Sequence, residues 1–226
     1  MTTHQLLNPQ DHAHLRLLPR SGAEPHFVQI VPGEFVAAAI ACPILFSKDV
    51  ATGAFYAGAV LGLNPGEGAL KSAEERGGFE PLNLQRDGFF ISGERIAIDR
   101  GHPRFSETQG EPLFDEAQQP SPSLRQIQRV LGQLHEGIEQ TALLVRDLVN
   151  LKLLEPIDVS LNFDDGERLR LEGLYTVSRD SLRELGDGDV QRLFRSGHLH
   201  LAYTIAGSLN QLAVLAHLRN RKLAGV

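Results

Sequence analysis

Charged side chains of both signs cluster around one stretch of this 226-residue chain, residues 81–104. The members of this cluster are Arg86, Asp87, Glu94, Asp99, Arg100 and Arg104. Arginine beside aspartate can bind a charged or polar ligand, and a carboxylate in such a setting can also act as a general base. A structural ion pair is the commoner use of these residues. We therefore predict a ligand-binding site that includes Arg86, Asp99 and Arg104, and we assign no catalytic residue.

His198 and Tyr203 complete the predicted ligand-binding site. Tyr203, Ser208 and Asn210 are polar residues on an otherwise apolar last helix. They either line a pocket or form a satisfied hydrogen-bond network in the core, and the second use is the commoner one for buried polar groups. Both interpretations stay open at this point.

Two histidine pairs have the spacing His-x-His, namely His12 with His14 and His198 with His200. On a strand this spacing places both rings on one side, where they can chelate a metal, whereas a helix separates them by roughly 200°. Because the second pair lies where the last helix begins, a shared metal is disfavoured there. The chain also has no His-Glu-x-x-His zinc motif, so we assign no metal site. The sequence does not identify a cofactor.

The chain contains no pattern that activates a nucleophile. No serine lies in a Gly-x-Ser-x-Gly motif. The single cysteine, Cys42, follows the C-terminus of a predicted helix, where a thiolate is not stabilised, so we predict that it belongs to the core. Glycines after a strand at residues 64–68 suggest a phosphate loop, but Lys71 lies three residues after Gly68 instead of directly after it. The spacing therefore predicts a turn.

The elements that position these groups are a mixture of strands and helices. Alternating apolar residues bounded by turn residues predict strands at 26–31, 44–47, 54–63, 89–91, 95–99, 157–163 and 168–175. Helical periodicity and capping residues predict helices at 34–41, 123–154, 178–185, 187–194 and 199–218. We therefore predict the α+β class, with a mixed or antiparallel sheet that contains hairpins and packs against the long helix and the apolar C-terminal helix.

The long helix is the clearest of these elements, and Ser123 is its predicted N-cap. Its apolar residues recur at alternating spacings of three and four. Gly132 and Gly137 each weaken the helix by about 1 kcal/mol relative to alanine, so we expect either a closely packed neighbour or a bend there. We expect the last helix, which is rich in small residues, to pass close against the long one.

The N-terminal residues 1–25 are polar with scattered leucines, and we predict an irregular arm followed by a single domain over residues 26–226. Within that domain, the connection 101–122 contains several glycines and prolines, and we expect it to form a packed loop. The side chains expected to hold this loop are Phe105, Leu113 and Phe114.

The bulk composition excludes several classes of function. A net charge of -6 without any block of lysine and arginine argues against binding to nucleic acid or an anionic membrane. The longest apolar segment, residues 199–218, is interrupted by polar residues and does not read as a membrane span. One cysteine, and an N-terminus without a cationic start or apolar run, predict a cytoplasmic protein.

A set of short motifs, spread from about residue 26 to residue 220, resembles the SapC family and follows that family's order. The motifs are FEPLNLQRDGFFI at 79–91, ID at 98–99, HPR at 102–104, GEPLFD at 110–115, LEP at 154–156, GLYTV at 173–177, GHL at 197–199 and SLNQL at 208–212. Many members carry a tryptophan near residue 79, where this chain has Phe79, and the chain contains no tryptophan.

The resemblance implies an accessory or binding protein and supplies no catalytic residues. The family is named for genes beside a surface-layer protein secretion system. Similar members are often encoded near flavin-dependent tryptophan-halogenase-like proteins, cupin-type oxygenases and outer-membrane receptors, so the resemblance implies a partner of one of these kinds.

We accordingly predict a non-catalytic accessory protein that recognises a peptide or a partner protein, linked to secretion or to a halogenase, oxygenase or receptor system. The alternative is a metal- or oxygen-dependent enzyme that modifies peptides. A third hypothesis is a homodimer formed through the small-residue face of the last helix.

Overall fold

The structure is a computed structural model that describes residues 4–64, 68–164 and 166–224. The strands in these residues are β1 His4–Leu6, β2 Arg16–Leu17, β3 Phe27–Gln29, β4 Ile44–Lys48, β5 Phe55–Val60, β6 Phe89–Ser92, β7 Arg95–Asp99, β8 Phe105–Ser106, β9 Glu111–Pro112, β10 Leu154–Pro156, β11 Val159–Asn162, β12 Arg168–Leu171 and β13 Tyr175–Val177. The helices are α1 Pro9–His12, α2 Phe35–Ala41, α3 Leu82–Gln85, α4 Pro122–Asn150, α5 Arg179–Arg183, α6 Asp187–Ser196, α7 His198–Ser208 and α8 Gln211–Leu223. A 3₁₀ turn at Pro32–Glu34 leads into α2.

All ladders between these strands are antiparallel, and the predicted α+β class is confirmed. The largest sheet has five strands in the order β10-β13-β4-β5-β3. Two sheets have three strands, in the orders β1-β7-β6 and β8-β2-β9, and β11 pairs with β12 alone. The three predicted hairpins, β4–β5, β6–β7 and β11–β12, are present. In each of them turn residues join two runs of strand-forming residues.

The described residues group into two compact units, and the division falls within α4. The first unit comprises the described residues of Met1–Gly22 together with Leu82–Glu136. Its core is built from buried side chains that include Leu15, Phe89, Ile98, Leu113 and Leu124. Phe105 and Phe114 are buried in the same cluster, so the prediction of a packed loop over 101–122 is confirmed.

The second unit comprises Ala23–Pro81 and Gly137–Val226, of which the described residues form the five-stranded sheet and helices α2 and α5 to α8. One core cluster packs β11 and β12 with α8 and the five-stranded sheet, through residues such as Leu45, Val60, Leu171 and Leu215. The prediction that residues 26–226 form a single domain stays a prediction, and calorimetry on the whole chain tests it.

The N-terminal residues are more regular than the predicted irregular arm. Strand β1 pairs with β7, β2 pairs with both β8 and β9, and Leu15 between α1 and β2 is completely buried. The expectation of an irregular arm is therefore wrong for these residues. The prediction failed because the strands that pair with β1 and β2 lie roughly 90 residues further along the chain, and no local sequence pattern can reveal such a pairing.

The ends of the long helix also differ from the prediction. The N-cap of α4 is Ser121, because its Oγ accepts a hydrogen bond from the backbone N–H of Leu124 at 3.2 Å, so Ser123 lies inside the first turn. The helix ends at Asn150 and not near Leu154, since Lys152 adopts a left-handed backbone conformation with φ of 56°.

The predicted last helix is divided into α7 and α8. The division follows Ser208, whose Oγ donates to the carbonyl of Ile205 at 2.7 Å and accepts from the N–H of Ile44 at 2.8 Å. Side-chain hydrogen bonds of this kind compete with those of the helix itself. Helix α7 packs extensively on α2, α6, β13 and β4, whereas we expected its main partner to be the long helix.

None of the helices in the described residues combines the length and the apolar content that a helix needs to cross a bilayer.

Candidate functional site

The three residues predicted from the charged cluster all bind one turn, residues 85–89. Arg104 is only 8% exposed, and its Nη1 donates to the carbonyl oxygens of Gln85 at 2.8 Å and Asp87 at 2.9 Å. Its Nε donates to the carbonyl oxygen of Leu18 at 3.4 Å. The guanidinium of Arg104 therefore satisfies buried backbone acceptors.

Asp99 and Arg86 bind two further carbonyl groups of the same turn. The backbone N–H of Asp99 donates to the carbonyl oxygen of Gly88 at 3.0 Å, and Nη1 of Arg86 donates to that of Phe89 at 3.0 Å. The Arg86 guanidinium also lies 5.5 Å from the centre of the Phe90 ring, and burial lowers the pKa of this group. The structure thus brings the guanidinium groups of Arg86 and Arg104 to one turn, whose backbone they hold. The carboxylate of Asp99 instead accepts from the N–H of Gly101 at 3.2 Å, so only the backbone of Asp99 binds the turn.

The side chains between these residues complete the packing of the turn. His102 Nε2 lies 3.4 Å from Asp87 Oδ1, and its Nδ1 accepts from the N–H of Arg104 at 3.3 Å. Gly88 has φ of 86°, and a Cβ there would lie 3.1 Å from both His102 and Phe105. The two motifs at 79–91 and 102–104 therefore interlock through Arg104, His102 and the glycine. A role of Arg86, Asp99 and Arg104 in binding a ligand stays a prediction.

His198 and Tyr203 both lie on α7 but point to different sides of it. Five residues along a helix correspond to a rotation of roughly 140° between their side chains. His198 is mostly buried, with Nδ1 2.6 Å from Asp147 Oδ2 on α4. Tyr203 is 51% exposed. In the described part of the chain, no hydroxyl or thiol forms a hydrogen bond with Nε2 of His198, which would be the arrangement of a nucleophile and its base.

In both histidine pairs the two rings lie apart, although only His198 and His200 share a helix, because α1 ends at His12. His200 is exposed on α7 while His198 contacts Asp147, and His12 is buried in α1 while His14 is exposed beside Glu107. Across residues 4–64, 68–164 and 166–224, no group of three or more His, Cys, Asp and Glu side chains is arranged to hold a metal ion. The alternative of a metal-dependent enzyme stays a prediction, which elemental analysis of the purified protein tests.

Cys42 is 1% exposed, as the prediction of a core cysteine requires, and burial raises the pKa of its thiol to about 12 from the ordinary 9.0. This rise lowers the thiolate fraction at mildly alkaline pH by about 1,000-fold. We expect Ellman's reagent to leave Cys42 unmodified in the folded chain and to modify it rapidly in concentrated guanidinium chloride. Equal rates in the two conditions, followed by absorbance, would contradict the buried thiol.

A cleft of about 560 Å³ opens in the second unit, and the sequence did not reveal it. Its volume lies within the range of roughly 300–1,000 Å³ that binding pockets occupy. The apolar side chains that line it come from the five-stranded sheet and from β12 with the residues that follow: Phe27, Tyr56, Val60, Leu169, Leu171 and Leu174. The polar residues along it are His26, Ser47, Arg170 and Glu172.

One face of the five-stranded sheet forms the apolar wall of the cleft. Phe27 of β3 and Tyr56 of β5 are in edge-to-face contact, with ring centres 6.0 Å apart. The Phe27 ring lies over Gly58, where a Cβ would meet it at 2.2 Å. Phe55, the neighbour of Tyr56 in β5, points to the opposite face and contacts Tyr175 and Lys48. The two adjacent aromatic residues therefore belong to different surfaces of the same sheet.

None of the cleft residues was among the predicted site residues. The alternation of β4, β5 and the β11–β12 hairpin was visible in the sequence, and it shows which side chains share a face of each strand. It does not show which faces of separate elements come together. The apolar side chains that line the cleft were therefore indistinguishable from ordinary core residues.

Comparison with known proteins gives one family. The family model described as SapC matches residues 7–215. No curated protein and no solved structure matches the chain.

Proposed function

The chain belongs to the SapC family, and from this premise we propose that it is a non-catalytic accessory protein that binds a peptide segment of a partner protein in the cleft of the second unit. The observation that carries the proposal is the composition of the cleft walls. Half-buried side chains such as Phe27, Tyr56 and Leu169 provide apolar contact area above the buried Val60 and Leu171, and a few polar residues at the margin orient a ligand. This combination is typical of peptide and ligand recognition.

The chemistry of the cleft favours recognition of side chains and backbone over bond making. Its polar residues are one histidine, one serine, one arginine and one glutamate. Arg170 lies 3.2 Å from Asp158, and its Nε lies 3.9 Å from Glu172, so both charges at this margin have neighbours of opposite sign. Peptide binding uses such groups for orientation and the apolar wall for affinity.

We propose that the partner is one of the kinds that the family resemblance implies, a halogenase-like protein, a cupin-type oxygenase or a receptor, or a component of a secretion system. We place the interaction in the cytoplasm, which the buried free thiol of Cys42 supports, since unpaired cysteines are usual in reducing compartments. The proposed association is testable by co-expression of the chain with each candidate partner.

The cleft itself is tested with a display library of random ten-residue peptides, selected on the whole chain. For a selected peptide, we expect Tyr56→Ala to weaken binding by at least about 10-fold, because the phenol ring forms part of the apolar wall. The measurement is isothermal titration calorimetry. The matched control is Phe55→Ala, which removes an aromatic side chain of the same strand from the opposite face and should leave the affinity unchanged.

Three outcomes would overturn the proposal. The first is that the library yields no peptide that binds in solution. The second is that Tyr56→Ala binds a selected peptide as tightly as the unchanged chain does. The third is that Tyr56→Ala and Phe55→Ala lose affinity for the peptide equally. Circular dichroism of both variants shows whether each of them retains the fold, so that a loss of binding is attributed to the cleft.

A further inference from the structure

The cleft meets strand β12 along its edge and not on one of its faces. Three consecutive residues of β12, Leu169 to Leu171, line the cleft, and so does Glu172, which follows the strand. Successive side chains of a strand point to opposite faces, so a cavity on one face is lined by every second residue only. A cavity lined by three strand residues in a row therefore runs beside the strand, where both faces are accessible.

The register of the β11–β12 hairpin shows which backbone groups point to this edge. The N–H of Phe163 donates to the carbonyl oxygen of Glu167 at 2.9 Å, which makes these two a hydrogen-bonded pair. Such pairs recur at every second position of an antiparallel ladder, so Leu169 and Leu171 direct their N–H and C=O groups toward β11. Arg168 and Arg170 consequently direct theirs to the outer edge.

The outer edge of β12 is not part of a larger sheet. Among the described residues, β12 pairs with β11 alone. A strand edge with backbone donors and acceptors directed outward is a template for pairing with another extended segment. Here the template lies directly beside an apolar wall that is formed by Phe27 and Tyr56.

We propose that the bound segment adds to the outer edge of β12 as an extended strand, with apolar side chains at alternate positions directed toward the wall that contains Phe27 and Tyr56. This inference rests on the proposed function and specifies its mode of recognition. Backbone hydrogen bonds to Arg168 and Arg170 provide affinity that does not depend on sequence, and the apolar wall selects the alternate side chains. The partner segment is therefore uncharged at those alternate positions.

The experiment is an N-methyl scan of a selected ten-residue peptide, in which each amide is methylated in turn and the affinity for the whole chain is measured. Strand addition uses every second amide of the peptide, so we expect losses of about 10-fold at alternating positions and little change at the positions between them. The alanine scan of the same peptide should show the same period of two for its side chains.

Two variants of the protein test the same contact from the other side. Arg170→Pro removes the outward N–H, which β11 does not use, whereas Arg170→Ala removes only the side chain. We expect Arg170→Pro to lose about 10-fold more affinity than Arg170→Ala. If Arg170→Pro fails to fold, the N-methyl scan of the peptide tests strand addition by itself, because it uses the unchanged protein.

The outcomes separate this inference from the proposed function. Binding that depends on Tyr56 but tolerates methylation at every amide overturns strand addition and leaves the cleft as the binding site. A peptide whose binding does not depend on Tyr56 overturns both. An alternating methylation pattern together with dependence on Tyr56 supports both.

Discussion

Arg104→Ala is expected to lower the free energy of unfolding by about 3–5 kcal/mol. The substitution removes the guanidinium that donates to the carbonyl oxygens of Gln85, Asp87 and Leu18, and it leaves those acceptors buried without that donor. Each buried acceptor that loses its partner costs about 1–3 kcal/mol. Urea denaturation followed by circular dichroism measures the change.

Arg104→Lys is the matched control for this prediction. Lysine keeps the positive charge, but its single ammonium group cannot reproduce the planar fork that reaches several carbonyl groups at once. We expect a stability between those of the unchanged chain and Arg104→Ala. An alanine variant within about 1 kcal/mol of the unchanged chain would show that Arg104 does not hold the turn and would return it to the list of ligand-binding candidates.

Gly137→Ala and Gly132→Ala are expected to change stability in opposite directions, although both replace a glycine inside α4. A Cβ at Gly137 would lie 2.4 Å from Cβ of Val31, which is itself buried, so the backbone of one element must move. We expect a loss of about 2 kcal/mol. A Cβ at Gly132 meets nothing within 4 Å in the described residues, and alanine there should add about 1 kcal/mol of helix stability.

The pair of variants is its own control, because the helix, the residue types and the assay are the same. In thermal and urea unfolding, we expect Gly132→Ala to be more stable than the unchanged chain and Gly137→Ala to be less stable. Equal shifts in the same direction would mean that the contact between Gly137 and Val31 does not restrict this position. The comparison also tests the expectation, made from helix propensity, that a glycine in the long helix marks a closely packed neighbour.

The charged cluster shows that a sequence pattern can predict where charged side chains meet without predicting what they bind. Opposite charges in residues 86–104 predicted a polar site, and the structure gathers the guanidinium groups of Arg86 and Arg104 around one turn, which Asp99 contacts through its backbone N–H alone. What the pattern lacked is the identity of the acceptors. Backbone carbonyl groups are present at every residue, so no residue type in the sequence announces that an arginine will bind them.

Elements defined by short-range patterns were determined by the sequence itself. The hairpins, the body of α4 and the burial of Cys42 follow from turn residues, apolar periodicity and capping within a few positions of the chain. The assignment to the SapC family has the same origin, since short motifs in a fixed order carry it.

Tertiary structure alone decided that β1 pairs with β7 and β2 with β8, that the last helix divides at Ser208, and that a cleft forms beside β12. Each of these depends on which distant segments meet. The sequence of a strand shows which of its side chains share a face. It does not show which other strand will pair with it, because the backbone hydrogen-bonding groups are the same at every residue. The proposed binding edge therefore became visible only when the register of β12 and the wall of the sheet were seen together.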